Sequence, residues 1–357
     1  MVFGLFSPEN LELGGFMLVD RDTLLTVCSK LLPVVRFGFD GVVLFSDRDI
    51  IGYNQSFLVA YPLETGITGS VPIKELTAIL KKMKPGELEL KIEDNKLVVL
   101  SNDLWLALQI DPDDYRFDAI NELLDMAELH KEWYEFESYL SFKNALELCR
   151  KNASKQGYTA FNYVCLAKNE IVGADDFRIS RYELPEYFEP SVLLHPAQCK
   201  AIIEYDLNQF ACTDSHIMFL NSDDILLIAH NYQASFERRD ISPLFEFEGE
   251  DYILPKELNE HINSVRVMAT GKSLLEQTIM ITLNTGYIVV RAEKDIGIAE
   301  VECDAPELVV KKELSFLINP LFFSEALKNT NCVAKIGKRQ ILLTHGSYSN
   351  LISLHTI

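Results

Sequence analysis

The sequence predicts an α+β fold made of three copies of one small domain, each with two helices and antiparallel sheets. Three observations predict it. Three segments share a proline, a short amphipathic helix and a hairpin: VPIKELTAILKKMKPGELELKIEDNKLVVLS from Val71, HPAQCKAIIEYDLNQFACTDSHIMFLNS from His195 and NPLFFSEALKNTNCVAKIGKRQILLTHG from Asn319. Their prolines, Pro72, Pro196 and Pro320, are spaced by 124 residues both times. The chain of 357 residues then divides into three lengths of ~120 residues, an ordinary domain size.

Each element follows from local chemistry. Proline suits the first helical turn, where its missing N–H would be unpaired in any case. An aliphatic residue recurs seven positions after each proline, at Ile79, Ile203 and Leu327. The turns EDNK, TDSH and GKRQ separate runs rich in Val, Ile and Leu, which read as hairpins. Upstream of each segment lies a second shared block. An amphipathic helix comes first (DRDTLLTVCSKLLPVV, SYLSFKNALELCRKNA, LPKELNEHINSVRVMA). Strands follow it (GVVLFSDRDIIGYN, YVCLAKNEIVGADDFRISRYEL, IMITLNTGYIVVRAEKDIGIAEVEC). The expected boundaries are 1–128, 129–245 and 246–357.

Composition narrows the function classes. Apolar residues make up 48% and charged residues 24%, as in soluble globular proteins. No apolar run reaches the ~20 residues of a membrane helix. The N-terminus lacks the basic start and apolar middle of a signal peptide, so a cytoplasmic location is expected. The seven cysteines, Cys28, Cys149, Cys165, Cys199, Cys212, Cys303 and Cys332, are scattered and form no CxxC pair, so neither a zinc site nor a disulfide framework is expected. A formal net charge of -20 argues by itself against nucleic-acid binding. A bound strand responds to the charge facing it, however, and not to the total.

The ordered set of motifs resembles the bacterial-type DNA polymerase III β sliding clamp family, including its phage relatives. GYIVVRAEKDIGIAEVECDA followed by FLINPLFFSEALKN carries the likeness in the third copy, GADDFRISRYEL in the second, and the Val71 segment in the first. The resemblance covers nearly the whole chain. It implies three clamp (processivity-fold) domains, closed into a ring as a homodimer, with two helices per domain lining a channel around double-stranded DNA. Partners so implied are the DNA, without base readout, a replicative DNA polymerase, a clamp loader and a second copy. No enzyme activity, cofactor, metal or membrane contact is expected. The alternative is a duplicated clamp-fold scaffold that binds proteins only.

The family likeness assigns candidate residues. Basic side chains of the helix blocks would face the channel: Lys81, Lys82, Lys84, Lys143, Arg150, Lys151, Lys155, Lys200, Arg266, Lys272 and Lys328. Glu75, Glu257 and Glu260 on the same blocks would leave the lumen only mildly positive. A hydrophobic cleft for partner peptides would be lined by Phe161, Ala174, Asp176, Phe177, Arg178 and Ile179 on one side. Leu351, Ile352, Leu354, His355 and Ile357 would form the other. Here the sequence departs from the family. Asp176 stands where a glycine is usual, Ala174 where a threonine is usual, and residues 353–357 replace the common Met-Pro-Met-Arg-Leu ending. Arg178 could equally make a structural ion pair. Strand LWLALQI would pair with the third domain of another copy, Leu106 and Leu108 meeting Val267 and Met268.

Other signals are discounted. ATGKS at 269–273 lacks the earlier glycine of a phosphate loop. Cys212 and His216 have no further ligands in register, and no His pairs with a Ser or Cys nucleophile. Adjacent Asp175 and Asp176 would diverge on a strand.

Overall fold

The computed structural model describes residues 17–36, 41–101, 104–153, 162–232, 241–271, 273–330 and 333–355. Its first elements are β1 (Met17–Asp20), α1 (Arg21–Arg36), β2 (Val42–Phe45), β3 (Asp49–Asn54), β4 (Phe57–Pro62), β5 (Gly69–Pro72), α2 (Ile73–Leu80), β6 (Glu87–Glu93), β7 (Lys96–Leu100) and β8 (Trp105–Gln109). The middle third holds α3 (Arg116–Leu129), β9 (Tyr134–Glu135), α4 (Tyr139–Cys149), β10 (Val164–Ala174), β11 (Arg178–Leu194), α5 (Pro196–Ile202), β12 (Gln209–Cys212), β13 (His216–Leu220) and β14 (Leu226–His230). The last third holds α6 (Ser242–Phe245), β15 (Glu250–Ile253), α7 (Leu258–Val265), β16 (Ile279–Asn284), β17 (Gly286–Lys294), β18 (Gly297–Ala305), β19 (Leu314–Ile318), α8 (Pro320–Lys328), β20 (Val333–Ile336), β21 (Gln340–His345) and β22 (Tyr348–Ser353).

The repeated helix starts have local causes. Pro196 and Pro320 each open their helix. Asn319 caps α8, its Oδ1 accepting the N–H groups of Leu321 (3.0 Å) and Phe322 (3.2 Å). His195 caps α5 through Nδ1, which accepts the Ala197 N–H at 3.2 Å, while the His195 N–H donates to Gln198 Oε1 at 2.7 Å. The β6–β7 turn places Asp94 and Asn95 at φ 49° and 57°, the left-handed pair that a tight hairpin needs.

The described residues form two compact units, 1–140 with 188–233, and 141–187 with 234–357. The first holds an eight-stranded antiparallel sheet, β5-β2-β3-β4-β14-β13-β12-β9, and a four-stranded one, β1-β6-β7-β8. The second holds a six-stranded sheet, β10-β11-β22-β21-β20-β15, and a four-stranded one, β18-β17-β16-β19. Both larger sheets join successive sequence repeats. In the first unit β4 pairs with β14, Ile228 opposite Leu58. In the second β11 pairs with β22, Arg178 opposite Ile352.

Two helices were not expected, the short α6 and the longer α3, which follows the first repeat. Phe117, Ile120, Leu124 and Ala127 recur on one face and pack on Ile51, Leu58, Met218 and Ile228 of the eight-stranded sheet. The opposite face of the sheet meets α1. A Cβ at Gly52, next to Ile51 and on the other face, would lie 3.2 Å from Leu31 of that helix.

Asp114 holds the start of α3. It is buried, accepts the Arg116 N–H at 3.0 Å and pairs with the Arg116 guanidinium. Burial raises its carboxyl, but hydrogen bonds from Arg116 and Ser70 outweigh burial and hold it at about 2, below its ordinary 3.8. The stabilisation is therefore complete above about pH 4 and is lost as pH falls towards 2. In urea denaturation, Asp114→Asn is expected to cost roughly 1–3 kcal/mol at pH 7. The gap to wild type should narrow steadily between about pH 4 and pH 2. A gap independent of pH would mean that the charge does not hold the helix.

Candidate functional site

In the second unit the chain turns from β10 into β11 through Asp175, Asp176 and Phe177. Asp175 shapes the turn, its Oδ1 accepting the N–H groups of Phe177 (2.9 Å) and Arg178 (3.0 Å). Asp176 is exposed at the tip. The Arg178 side chain turns inward and is only 8% exposed. Its Nε donates to Asp175 Oδ2 (3.0 Å), Nη1 to Glu325 Oε2 of α8 (2.6 Å) and Nη2 to the Lys151 carbonyl (3.1 Å). Its guanidinium lies 4.1 Å from the centre of the Phe322 ring. One cation thus clasps the turn, the helix and the chain beyond α4.

The C-terminal strand lies alongside. Ile179 is opposite Leu351, and the Ser353 N–H donates to the Phe177 carbonyl at 2.8 Å. The His355 N–H reaches the Leu317 carbonyl at 2.9 Å. The Phe177 ring sits 6.2 Å from Phe322 and 6.5 Å from His355. The two sequence segments assigned to the cleft are therefore neighbours. Phe177, Leu354 and Leu321 are partly exposed and pack on the core, and Ile179 and His355 are also partly exposed. Ala174, Leu351 and Ile352 are buried, with Ile352 offering no surface at all. Phe161 and Ile357 lie outside the described residues. Glu325, Phe322 and Leu321 complete the site without having been singled out in the sequence. The only signal for them was their place on the Asn-Pro helix.

Behind the turn lies a buried polar network. Asn152 donates to the Ser180 hydroxyl, which is 3.2 Å from the Tyr348 hydroxyl, and Asn350 donates to Tyr348 at 2.9 Å. Burial pushes the Tyr348 phenol up. The close approach of β10 to α4 requires Gly173, since a Cβ there would stand 1.9 Å from the Cys149 carbonyl oxygen.

The basic helix residues are distributed over both units. In the first, Lys81, Lys82 and Lys84 are exposed just past α2, and Lys200 is exposed on α5. Lys30 of α1 steadies the end of α5 by donating to the Glu204 carbonyl at 3.1 Å. In the second, Lys143 and Arg150 are half-buried, while Lys151, Arg266 and Lys328 are exposed. Glu147 pairs with both Arg150 (2.7 Å) and Lys151 (2.9 Å), which offsets part of their charge. Burial raises the Glu147 carboxyl, but hydrogen bonds from Lys151 and Arg150 bring it below the usual range. Lys155 and Lys272 lie outside the described residues.

Among the described residues each four-stranded sheet ends in an edge strand without a further strand partner. In the first unit the edge is β8, with Leu106 and Leu108 half-buried and Trp105 63% exposed. In the second it is β18, flanked by Ile296 at 85% exposure and by Val267 at 74%. Met268 is half-buried beside it, its methyl 3.6 Å from where a Cβ on Gly297 would sit. Trp105, Ile296 and Ile298 were not singled out in the sequence, although apolar side chains around a hairpin turn are a readable signal.

No family model matches the chain, and no curated protein matches it. Solved structures do. The Helicobacter pylori β clamp bound to a DNA ligase peptide aligns with a TM-score of 0.79 at 14% identity, over 96% of this chain and 100% of that one. The DNA polymerase III subunit β of Pseudomonas aeruginosa aligns at 0.78 and 12% identity with the same coverage. A Pseudomonas aeruginosa sliding clamp bound to griselimycin aligns at 0.79 and 12%, again with that coverage. This chain has the fold of the bacterial DNA polymerase III β clamps.

The discounted motifs make local contacts. Thr270 of the ATGKS stretch makes a β-bridge with Thr278. The His216 ring faces His230 across a strand pair at 5.4 Å. Among the described residues no three His, Cys, Asp or Glu side chains converge as a metal set, and no helix is long and apolar enough to cross a membrane. Cys332 lies outside the described residues, and the other six cysteines are free thiols.

The Arg178 clasp makes a specific demand. Removing the cation strands two carboxylates, so Arg178→Ala is expected to cost about 3 kcal/mol in urea denaturation. Arg178→Lys should recover less than half of that, because an ammonium cannot serve both carboxylates and stack on Phe322. Wild-type stability in Arg178→Ala would show that the clasp does not hold the cleft together.

Proposed function

We propose that the chain is a DNA sliding clamp, a non-catalytic ring that encircles duplex DNA and holds a replicative polymerase to it. It would recruit that polymerase and the clamp loader through the Phe177 cleft. The state of the sheet joints is the observation that carries this reading. Within each repeat the same strands recur. β4 follows the β2–β3 hairpin, β18 follows the β16–β17 hairpin and β11 follows the long strand β10, while β8, β14 and β22 each end their repeat. Two of the three possible joints are made within the chain, β4 with β14 and β11 with β22. By the same rule β18 requires a β8, and both are open edges. Pairing Trp105–Gln109 of one copy with 297–301 of another would close both edges. It would also cover Leu106, Leu108, Val267 and Met268. Two chains joined head to tail then make six clamp domains, with boundaries at 128 and 245, around a two-fold axis.

In such a ring the helices of each domain face inward, carrying Lys81, Lys82, Lys84, Lys143, Arg150, Lys151, Lys200, Arg266 and Lys328 toward the phosphates. Ion pairing by Glu147 moderates that charge, which suits a ring that must slide, because each firm phosphate contact adds salt-sensitive affinity. The Helicobacter pylori clamp bound to a DNA ligase peptide supports reading the partly exposed strip at Phe177, Leu321 and Leu354 as a peptide site. Action in the cytoplasm, on the chromosome or on phage DNA, is part of the same reading.

Topology supplies the test. Loaded onto nicked circular plasmid by a clamp loader with ATP, the protein is expected to co-elute with the DNA at physiological salt. It should be lost when the same plasmid is linearised. Equal retention on both topologies would mean surface binding, and no binding to either would favour a protein-only scaffold. Each result contradicts encirclement.

A further inference from the structure

The charges around the cleft do not resemble a neutral groove. Arg178, next to Phe177 in the chain and 4.1 Å from the Phe322 ring, is committed to Asp175, Glu325 and the Lys151 carbonyl. Those two carboxylates already outnumber it. Asp176, at the exposed tip of the same turn, has no ion-pair partner among the described residues and adds a third acid. The cation on the neighbouring segment, Lys151, is paired with Glu147. Lys338 and Arg339 are exposed in the β20–β21 turn, where the Arg339 carbonyl accepts the Leu354 N–H. That turn lies two strand spacings from β11, roughly 10 Å, about a Debye length at physiological salt. Among the described residues the turn beside Phe177 is therefore acidic at its exposed tip, and Lys338 and Arg339 stand at the far side.

We propose that this cleft selects partner peptides in which the apolar anchor is flanked by a lysine or arginine, and that Asp176 is the residue that sets this preference. The inference rests on the peptide-site reading above and adds the chemistry of the occupant. A leucine or phenylalanine seats on the Phe177, Leu321 and Leu354 strip. The flanking cation meets Asp176 and the exposed side of Glu325, and the face of Phe177 adds to its attraction. An acidic flank would bring like charges together at the same place. Asp176 makes no hydrogen bond that shapes the turn, which Asp175 holds, so it can be changed without disturbing the fold.

Fluorescence anisotropy with the full-length protein tests this. Two labelled synthetic peptides share one sequence with a Leu-Phe anchor and differ only in Lys or Asp beside it. The Lys peptide is expected to bind about two- to fivefold more tightly at low salt. The ratio should fall towards one in ~1 M salt and shrink in Asp176→Asn, while Phe177→Ala weakens both peptides. Equal affinities, a preference for the Asp peptide, or a ratio unchanged in Asp176→Asn would overturn the charge selectivity and leave the cleft standing. If neither peptide binds, or Phe177→Ala has no effect, the peptide-site reading itself fails and the selectivity with it.

Discussion

Every edge strand carries a row of backbone N–H and C=O groups that need partners, and this requirement organises the molecule. Each repeat begins a sheet it does not finish. A strand before the second helix of one repeat is completed by the last strand of the next, as β4 is by β14 and β11 by β22. The first strands obey a second rule, with β1, β9 and β15 each closing the far side of the following hairpin at β6, β12 and β20. Sheet order, helix placement and the open β8 and β18 edges are consequences of repeating these two pairings. Among the described residues three such repeats leave β8 and β18 as sheet edges, and in the proposed ring an identical chain would pair with both.

The cleft depends on the same pairing. Phe177 and Arg178 reach the C-terminal segment because β11 is completed by β22. The polar network of Asn152, Ser180, Tyr348 and Asn350 ties α4 to that strand pair from behind. Arg178 then fixes α8 through Glu325. The strip at Phe177 is in this way held by buried groups on four separate segments, and its exposed chemistry is left to a few residues at the turn.

Much of this was legible in the sequence, because its causes are local. The prolines at 72, 196 and 320 mark helix starts, the Asp94-Asn95 pair marks a hairpin, and alternating apolar residues mark the strands. Segments around Phe177 and Leu354 could be matched to the clamp family and do lie side by side. Helix α3 was missed although Phe117, Ile120, Leu124 and Ala127 carry its period, because it falls after the first repeat, outside the segments that the three copies share. Pairing of Glu147 with Arg150 and Lys151 was also readable, as neighbours three and four apart on a helix. The contact of Arg178 with Glu325, 147 residues away, has no local signature, and neither does the network at Ser180. Long-range ion pairs are set by the folded path of the chain.

The most direct test of the account is the mass of the protein in solution at micromolar concentration. Sedimentation should give twice the 40.6 kDa chain mass, and a charge placed at the edge, such as Leu108→Asp, should return it to the single chain without unfolding it. A wild-type protein that sediments as a single chain, or a dimer indifferent to charge at both β8 and β18, would contradict closure of the third joint.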